Sequence, residues 1–262
     1  MPNTSQTAET PIDFVALEHA AFRAWPALQQ AEHQGVVLRF ANGYTKRANS
    51  ANVLEPPQGD LEPWLAHYQA AFKAQNLPCI FRLPTVCQQQ RLDDFLQSKG
   101  FRQIDKSHVL VKSLMVDSGL IESLNKSASV RMIEKTHEQW IASYCAINEV
   151  ALGDHQTHLD MLKRIEDKTL MLVLTDGEQE LACGLGVLSG QYFGLFDIAT
   201  KKIARNQGFA NQLISAMLAW AVQQGANYSY LQVVADNQAA IRLYKKLGYQ
   251  HGYDYWYRIS AE

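Results

Sequence analysis

No stretch of this sequence approaches the ~18 consecutive apolar residues that a membrane span needs. Its first ten residues are polar, without the charged and then apolar order of a secretory leader. No membrane partner is expected, and a cytoplasmic location is. Cysteine is scarce: Cys79, Cys87, Cys145 and Cys183 are scattered, with no C-x-x-C pair. That argues against a disulfide framework or a thiolate metal centre and suits a reducing compartment. Charge of neither sign is in excess, since 24 Lys and Arg face 26 Asp and Glu. A dedicated nucleic-acid surface would need a basic surplus, so no nucleic-acid partner is expected.

What the chain does have is apolar residues, 47% of 262, enough to core one large or two modest domains. Its most informative stretch runs from Leu195 to Tyr249 and reads strand, turn, helix, strand, helix. The turn is Arg205-Asn206-Gln207-Gly208-Phe209-Ala210, between the apolar run Leu195 to Ala199 and an amphipathic segment from Phe209 to about Gln224. Unpaired N–H groups at a helix start, with the helix dipole behind them, can hold a diphosphate. Small residues at 208 and 210 let a ligand approach the backbone, and Arg205, Lys201 and Lys202 add charge. The turn lacks the G-K-[ST] of a phosphotransferase and the G-x-G-x-x-G of a nicotinamide enzyme. After the helix come the strand Tyr228 to Val234, a helix start at Asp236-Asn237, and a helix carrying Leu243-Tyr244 and closed by Gly248.

R-x-x-G-x-A followed by L-Q-V-x-x-x-N-x-x-A-x-x-L-Y-x-x-x-G-Y resembles the GCN5-related N-acetyltransferase superfamily over about the last hundred residues. The resemblance implies an α/β (α+β) fold, a mixed central sheet flanked by helices, and acetyl-coenzyme A as co-substrate, with no metal. It places the pyrophosphate on Arg205, Asn206, Gln207, Gly208, Phe209 and Ala210, and the pantetheine arm along Ile198, Ala199 and Thr200. It puts Asn237 near the thiol end and makes Tyr244 the acid that protonates the leaving thiolate. One departure is Ala210, where glycine is the alternative. Independently of the resemblance, a phenol with an ordinary pKa near 10 holds its proton at neutral pH and can donate it within hydrogen-bond reach. Without the motif around it, Tyr244 would read as a core tyrosine on an amphipathic helix; with the motif, it reads as the acid.

In chain order, Ile12 to Ala31 is expected to be a helix interrupted at Trp25-Pro26, and Gly35 to Arg39 a strand that turns at Asn42-Gly43 into a return strand Tyr44 to Ala48. The polar run Arg47 to Asn52 has two readings: a substrate-facing loop, or a turn held by Asn and Ser side chains on local backbone. Leu61 to Gln75 and Arg91 to Lys99 read as helices, Cys79 to Leu83 and Ser107 to Lys112 as strands. The block around L-D-D-F-L-Q-S-K-G-F repeats the plan of I-R-L-Y-K-K-L-G-Y, without the Asn, the Tyr or a preceding phosphate turn. This suggests tandem acetyltransferase-like halves, residues 1–125 degenerate and 126–262 competent, joined by a linker over 115–129, or else a common strand–helix–strand pattern.

In the second half, Val130 to Ile133 reads as a strand and Thr136 to Ala151 as a helix with a Thr N-cap. His155 and His158 could share a face as metal ligands, but without a carboxylate-rich pattern they read as loop histidines. Acetyl transfer also needs a proton acceptor, for which Asp197, Glu149 and His155 are the candidates; desolvation beside a thioester would suit Asp197 to the task. Cys183 has no partnering histidine to make it a nucleophile, so direct transfer to a primary amine in a ternary complex is expected. A small-molecule amine is the default acceptor. The alternatives are a protein N-terminus or lysine, a non-catalytic acyl-coenzyme A sensor, and aminoacyl transfer from charged transfer RNA. The chain is expected to act as a monomer or homodimer.

Overall fold

The computed structural model describes residues 11–115 and 131–260. The polar N-terminus, nearly all of the expected linker and the expected division at 125/126 lie outside those residues. The strands are β1 (Gln29–His33), β2 (Val36–Phe40), β3 (Ala51–Val53), β4 (Ile80–Pro84), β5 (Arg102–Ser113), β6 (Arg131–Glu134), β7 (Lys168–Thr175), β8 (Glu180–Ser189), β9 (Tyr192–Thr200), β10 (Tyr228–Val234) and β11 (Gln250–Ile259). The helices are α1 (Phe14–Ala24), α2 (Leu61–Ala74), α3 (Gln90–Ser98), α4 (His137–Asn148), α5 (Gln156–Leu162), α6 (Phe209–Gln223) and α7 (Gln238–Lys246).

Local chemistry sets several boundaries. Asp13 caps α1 by accepting from Val15 and Ala16 N–H at 3.0 Å each. Thr136 and Gln139 form a reciprocal capping box at the start of α4. One hairpin departs from the sequence reading. The strands turn at Gln34-Gly35, both left-handed (φ 48° and 71°), so the helix expected to reach Ala31 ends at Ala24, β1 takes residues 29–33, and the expected strand Gly35 to Arg39 is its return partner β2. Asn42-Gly43 also turns, but into a short 3-10 helix, Lys46–Ala48, and not a return strand. All five β1 residues are exposed, so this edge strand has no apolar alternation for a sequence pattern to show.

The strands form one mixed sheet in the order β1-β2-β3-β4-β11-β5-β10-β9-β8-β7-β6. Each half of the chain gives its last strand to the other: β11 lies between β4 and β5, and β5 between β11 and β10. Outward from the β11/β5 contact the plan repeats, with parallel pairs β4/β3 and β10/β9 in equivalent places. Buried ionic contacts lock the exchange. Arg258 of β11 donates to both Asp93 oxygens of α3 at 2.8 Å, and Trp256 Nε1 donates to Asp93 Oδ1 at 2.7 Å.

A second lock ties α1 to the sheet. Glu18, fully buried, accepts from Arg82 Nη1 at 2.5 Å and Nη2 at 2.9 Å, and also from the Tyr253 hydroxyl. Burial alone would lower the Arg82 guanidinium, but the Glu18 charge and hydrogen bonds outweigh it and hold it above its ordinary value. Glu18→Ala would leave that guanidinium buried and uncompensated. It is expected to destabilise the protein by about 3–5 kcal/mol, read as a large drop in melting temperature; a shift of only a degree or two would contradict the lock.

The sheet separates two cores. Cys183, Leu185 and Val187 of β8 join α1, α4 and α5 on one face, whereas Leu181, Ala182 and Leu188 join α6 and α7 on the other. A third core fills the space around α2, α3 and strands β2 to β4.

Candidate active site

Strands β9 and β10 pair in parallel only from Tyr192/Tyr228 to Leu195/Leu231. Beyond that they part, while β9 stays paired with β8 as far as Thr200. Lys201 N–H donates to Leu181 O on the β8 side, so by strand alternation Ile198 and Thr200 turn their N–H and C=O groups toward the side that β10 has left. The parting coincides with a bulge at Asp197, whose φ of 50° is left-handed.

Along the parted edge runs a groove of about 620 Å³. Its lining includes Ile198, Ala199 and Thr200 of β9, then Arg205, Asn206, Gly208, Phe209 and Ala210 of the turn. Gly208 is left-handed (φ 83°), and a Cβ there would meet no protein atom within 4 Å. No side chain caps α6, and among the described residues no N–H from Asn206 to Ala210 has a protein acceptor. Donors, dipole and open approach are the makings of an anion cradle. Arg205 also donates from Nε to Thr200 O at 3.4 Å. Gln207 instead reaches back to Ile203 O at 3.2 Å and does not line the groove. Two cations not singled out in the sequence, Arg242 and Lys246, line it from α7. Their i, i+4 spacing puts them on one helix face, and that was the signal available.

Asn237 caps α7, its Oδ1 accepting from Ala240 N–H at 3.2 Å. Tyr244 has its ring in the α6/α7 core against Tyr249, centroids 5.9 Å apart, and is not part of the groove lining. Among the described residues its hydroxyl has no hydrogen bond, and burial pushes the phenol up to about 12. It therefore stays protonated at neutral pH, with a hydroxyl free to donate. If Tyr244 is the acid, Tyr244→Phe should lower kcat about 100-fold or more and leave acetyl-coenzyme A affinity within about threefold; an unchanged rate would transfer the role to water.

On the opposite face of β9 stands a second constellation. The Tyr44 hydroxyl lies 2.7 Å from His155 Nδ1 and 3.0 Å from His158 Nδ1. Having a single proton, it can donate to one ring and accept from the other. His158 Nε2 lies 3.0 Å from Asp197 Oδ2, within ion-pair range but off the line of a well-formed hydrogen bond. Burial, then the Asp197 charge, raise the Tyr44 phenol, so it remains a phenol. Burial and then the His158 charge lower His155 below the ordinary imidazole value, which keeps it neutral and able to accept a proton at pH 7. Tyr144 and Trp140 pack against His158, and Trp25 lies 5.1 Å from it, centroid to centroid.

The structure thus brings Asp197 and His155 together, through Tyr44 and His158. Glu149 stands apart, exposed in the left-handed C-cap of α4, beside the groove residue Asn148. His158 is not a loop residue: α5 begins at Gln156, and His158 is fully buried in it. Tyr44 was missed altogether, because it comes from the other half of the chain. Cys183 is fully buried, and burial followed by the Asp197 charge raises its thiol, which keeps it protonated and a poor nucleophile. Among the described residues one further group, His108, His251 and Asp254, has donor atoms within 4.8 Å of one another, with Lys106 Nζ already 3.0 Å from Asp254 Oδ2.

The run Arg47 to Asn52 divides between its two readings. Asn49 Oδ1 accepts from Ala41 and Gly43 N–H at 2.7 and 2.9 Å, and Asn52 donates to Val37 O and Ser50 O, so the asparagines hold the turn. Arg47 instead reaches over the rings of Trp25 and Phe196, 4.7 and 5.7 Å from their centroids, next to Asp197.

A family model described as "Probable histone acetyltransferase Rv0428c C-terminal" matches residues 12–258. A Bacillus subtilis (strain 168) protein described as "Uncharacterized N-acetyltransferase YobR" is 26% identical over 252 residues, covering 95% of this chain and 99% of its own length. A GCN5-related N-acetyltransferase from Kribbella flavida superposes with a TM-score of 0.68 at 18% identity, covering 94% of this chain and 95% of that one. A tandem protein of the same superfamily from the clavulanic acid biosynthesis pathway superposes at 0.64 with 11% identity, over 94% and 88%.

Proposed function

This chain belongs to the family of the Rv0428c C-terminal acetyltransferase region, and from that premise we propose that it is a GCN5-related N-acetyltransferase that moves the acetyl group of acetyl-coenzyme A directly to a primary amine of a small molecule. One observation carries the reading: a single strand, β9, lines an anion-cradled groove with Ile198 to Thr200 and, one residue earlier, places Asp197 Oδ2 3.0 Å from His158 Nε2, at the end of the hydrogen-bonded His155–Tyr44–His158 cluster.

The roles divide between the two faces. Asn206 to Ala210 hold the diphosphate through backbone N–H groups, with Arg205, Arg242 and Lys246 supplying charge. The N–H groups of Ile198 and Thr200, freed by the departure of β10, steady the pantetheine arm and the oxyanion that develops as the amine attacks. As the C–N bond forms, the amine proton passes to His155 and the Tyr44–His158–Asp197 path. As the C–S bond breaks, Tyr244 protonates the thiolate. Cys183 takes no part.

We read the architecture as tandem acetyltransferase-like halves, divided near residue 125, with the cradle only in the second. The first half completes the site by lending Trp25, Tyr44 and Arg47. A histone tail, the substrate class named in the family description, fits poorly here, because the acceptor face carries Arg39, Arg47 and Arg82 around one small cavity. The test is thiol release from acetyl-coenzyme A against a panel of primary amines and a lysine-rich peptide. Release with a small amine supports the reading, and release with the peptide alone would overturn its acceptor class.

A further inference from the structure

The acceptor face carries a cation for which neither the fold nor the proton path provides a partner. Three arginines meet behind Phe196, and two of them are saturated by the protein. Arg82 is held by both oxygens of Glu18. Arg39 donates to Gln30 Oε1 at 3.1 Å, Arg47 O at 2.8 Å and Phe22 O at 3.1 Å, and also to Trp25 O. Arg47 differs. Its guanidinium is half-buried, stacked on Trp25 and Phe196, and among the described residues has no hydrogen bond or ion pair. Stacking covers the plane of a guanidinium but leaves its N–H edges without acceptors.

The surroundings favour an anion. Around the cavity lined by Arg39, Arg47, Arg82 and Asn52, the Glu18 carboxylate is already committed to Arg82, and the other carboxylate near Arg47, Asp197, faces His158 Nε2 at 3.0 Å. Arg39 shows the imbalance: burial, then repulsion from Arg82, lower it to about 9. The cavity itself is about 10 Å³, room for about one water. A ligand therefore meets Arg47 on its open edge, not behind it. That edge belongs to a residue three positions after Tyr44 and stacked on the neighbour of Asp197. An anion bound there would sit beside the proton path.

We propose that Arg47 anchors a carboxylate of the acceptor, so that the amine acetylated here belongs to an amino acid or a similar amine bearing an anionic group. The assignment rests on the acetyl-transfer reading and narrows it. A planar, two-oxygen anion matches the guanidinium fork and gains two charge-assisted hydrogen bonds. A cationic or polyamine acceptor would meet uncompensated like charge.

The test is equilibrium binding of N-acetyl amino acids, each against its C-terminal amide, to the full chain in the presence of coenzyme A. At least one acid should bind roughly 10- to 100-fold tighter than its amide. Arg47→Gln should bring that ratio to about one, and Arg47→Lys, which keeps the charge but not the fork, should fall between. Melting curves of both variants separate loss of the fold from loss of the anchor. Equal binding of acids and amides, a preference that survives Arg47→Gln, or no acid bound at all would each overturn the assignment. If thiol release with amines proceeds while the acid preference is missing, the acetyl-transfer reading stands and only the role of Arg47 falls. If acetyl-coenzyme A itself fails to bind, both fall.

Discussion

Replacing Gly208 by valine is expected to weaken acetyl-coenzyme A binding about 100-fold or more, about 2.8 kcal/mol at 1.4 kcal/mol per tenfold. Two effects act together. Gly208 holds a φ of 83°, a region that a β-branched residue enters only at a cost of about 1–2 kcal/mol. Relaxing that strain would rotate the N–H groups which open α6. If the backbone instead stays in place, the new side chain projects from a position whose Cβ meets no protein atom within 4 Å, which is the space a diphosphate must enter. The protein pays only the backbone strain, so the melting temperature should fall by no more than about 5 °C. Calorimetric titration of the folded variant reads the loss. Retained affinity would remove the turn from the cofactor site.

Tyr44→Phe is the second large effect, expected to lower kcat by about 10²- to 10³-fold while acetyl-coenzyme A affinity stays within about threefold. The ring is kept, and only the hydroxyl that both histidines approach is lost. Because the cradle lies on the opposite face of β9, cofactor binding has no direct reason to change. His158→Gln should cost a similar factor, and the double variant should be little worse than the more damaged single one, since the residues act as a unit. Steady-state kinetics of the three variants decides this. Additive losses, or a fall in cofactor affinity equal to the fall in kcat, would indicate a merely structural role for the chain of rings.

Much of the fold was legible because its signals are local. The residues of β10 were expected as Tyr228 to Val234 and are so bounded. The Thr136 cap, the turn Arg205 to Ala210 and the helix after it declare themselves within a few residues of sequence. What could not be read depends on distance along the chain. Nothing near Tyr44, Trp25 or Arg47 announces that the strand exchange will set them against Asp197, some 150 residues later. The helix expected from Thr136 to Ala151 stops at Asn148, and a short 3-10 turn, Leu152–His155, leads straight into α5 at Gln156, which turns His158 inward and changes its meaning from a loop histidine to a buried one. Strand β1 escaped for a different reason: Gln29 to His33 are all exposed and are held by backbone pairing to β2, with Arg39 donating to Gln30 Oε1 and the Tyr68 hydroxyl to His33 O. Glu18 and Arg82 belong to the same class as Tyr44, a pair 64 residues apart whose charges make sense only once both are buried.

The most direct measurement is calorimetric titration of the full chain with acetyl-coenzyme A, with ATP and NAD as controls. Micromolar binding of the coenzyme, with neither control comparable, is the expected result. It would fix the coenzyme as the ligand and turn the acceptor into a question of screening. No binding, or equal binding of all three, would contradict acetyl transfer and leave the groove a vestige of the fold.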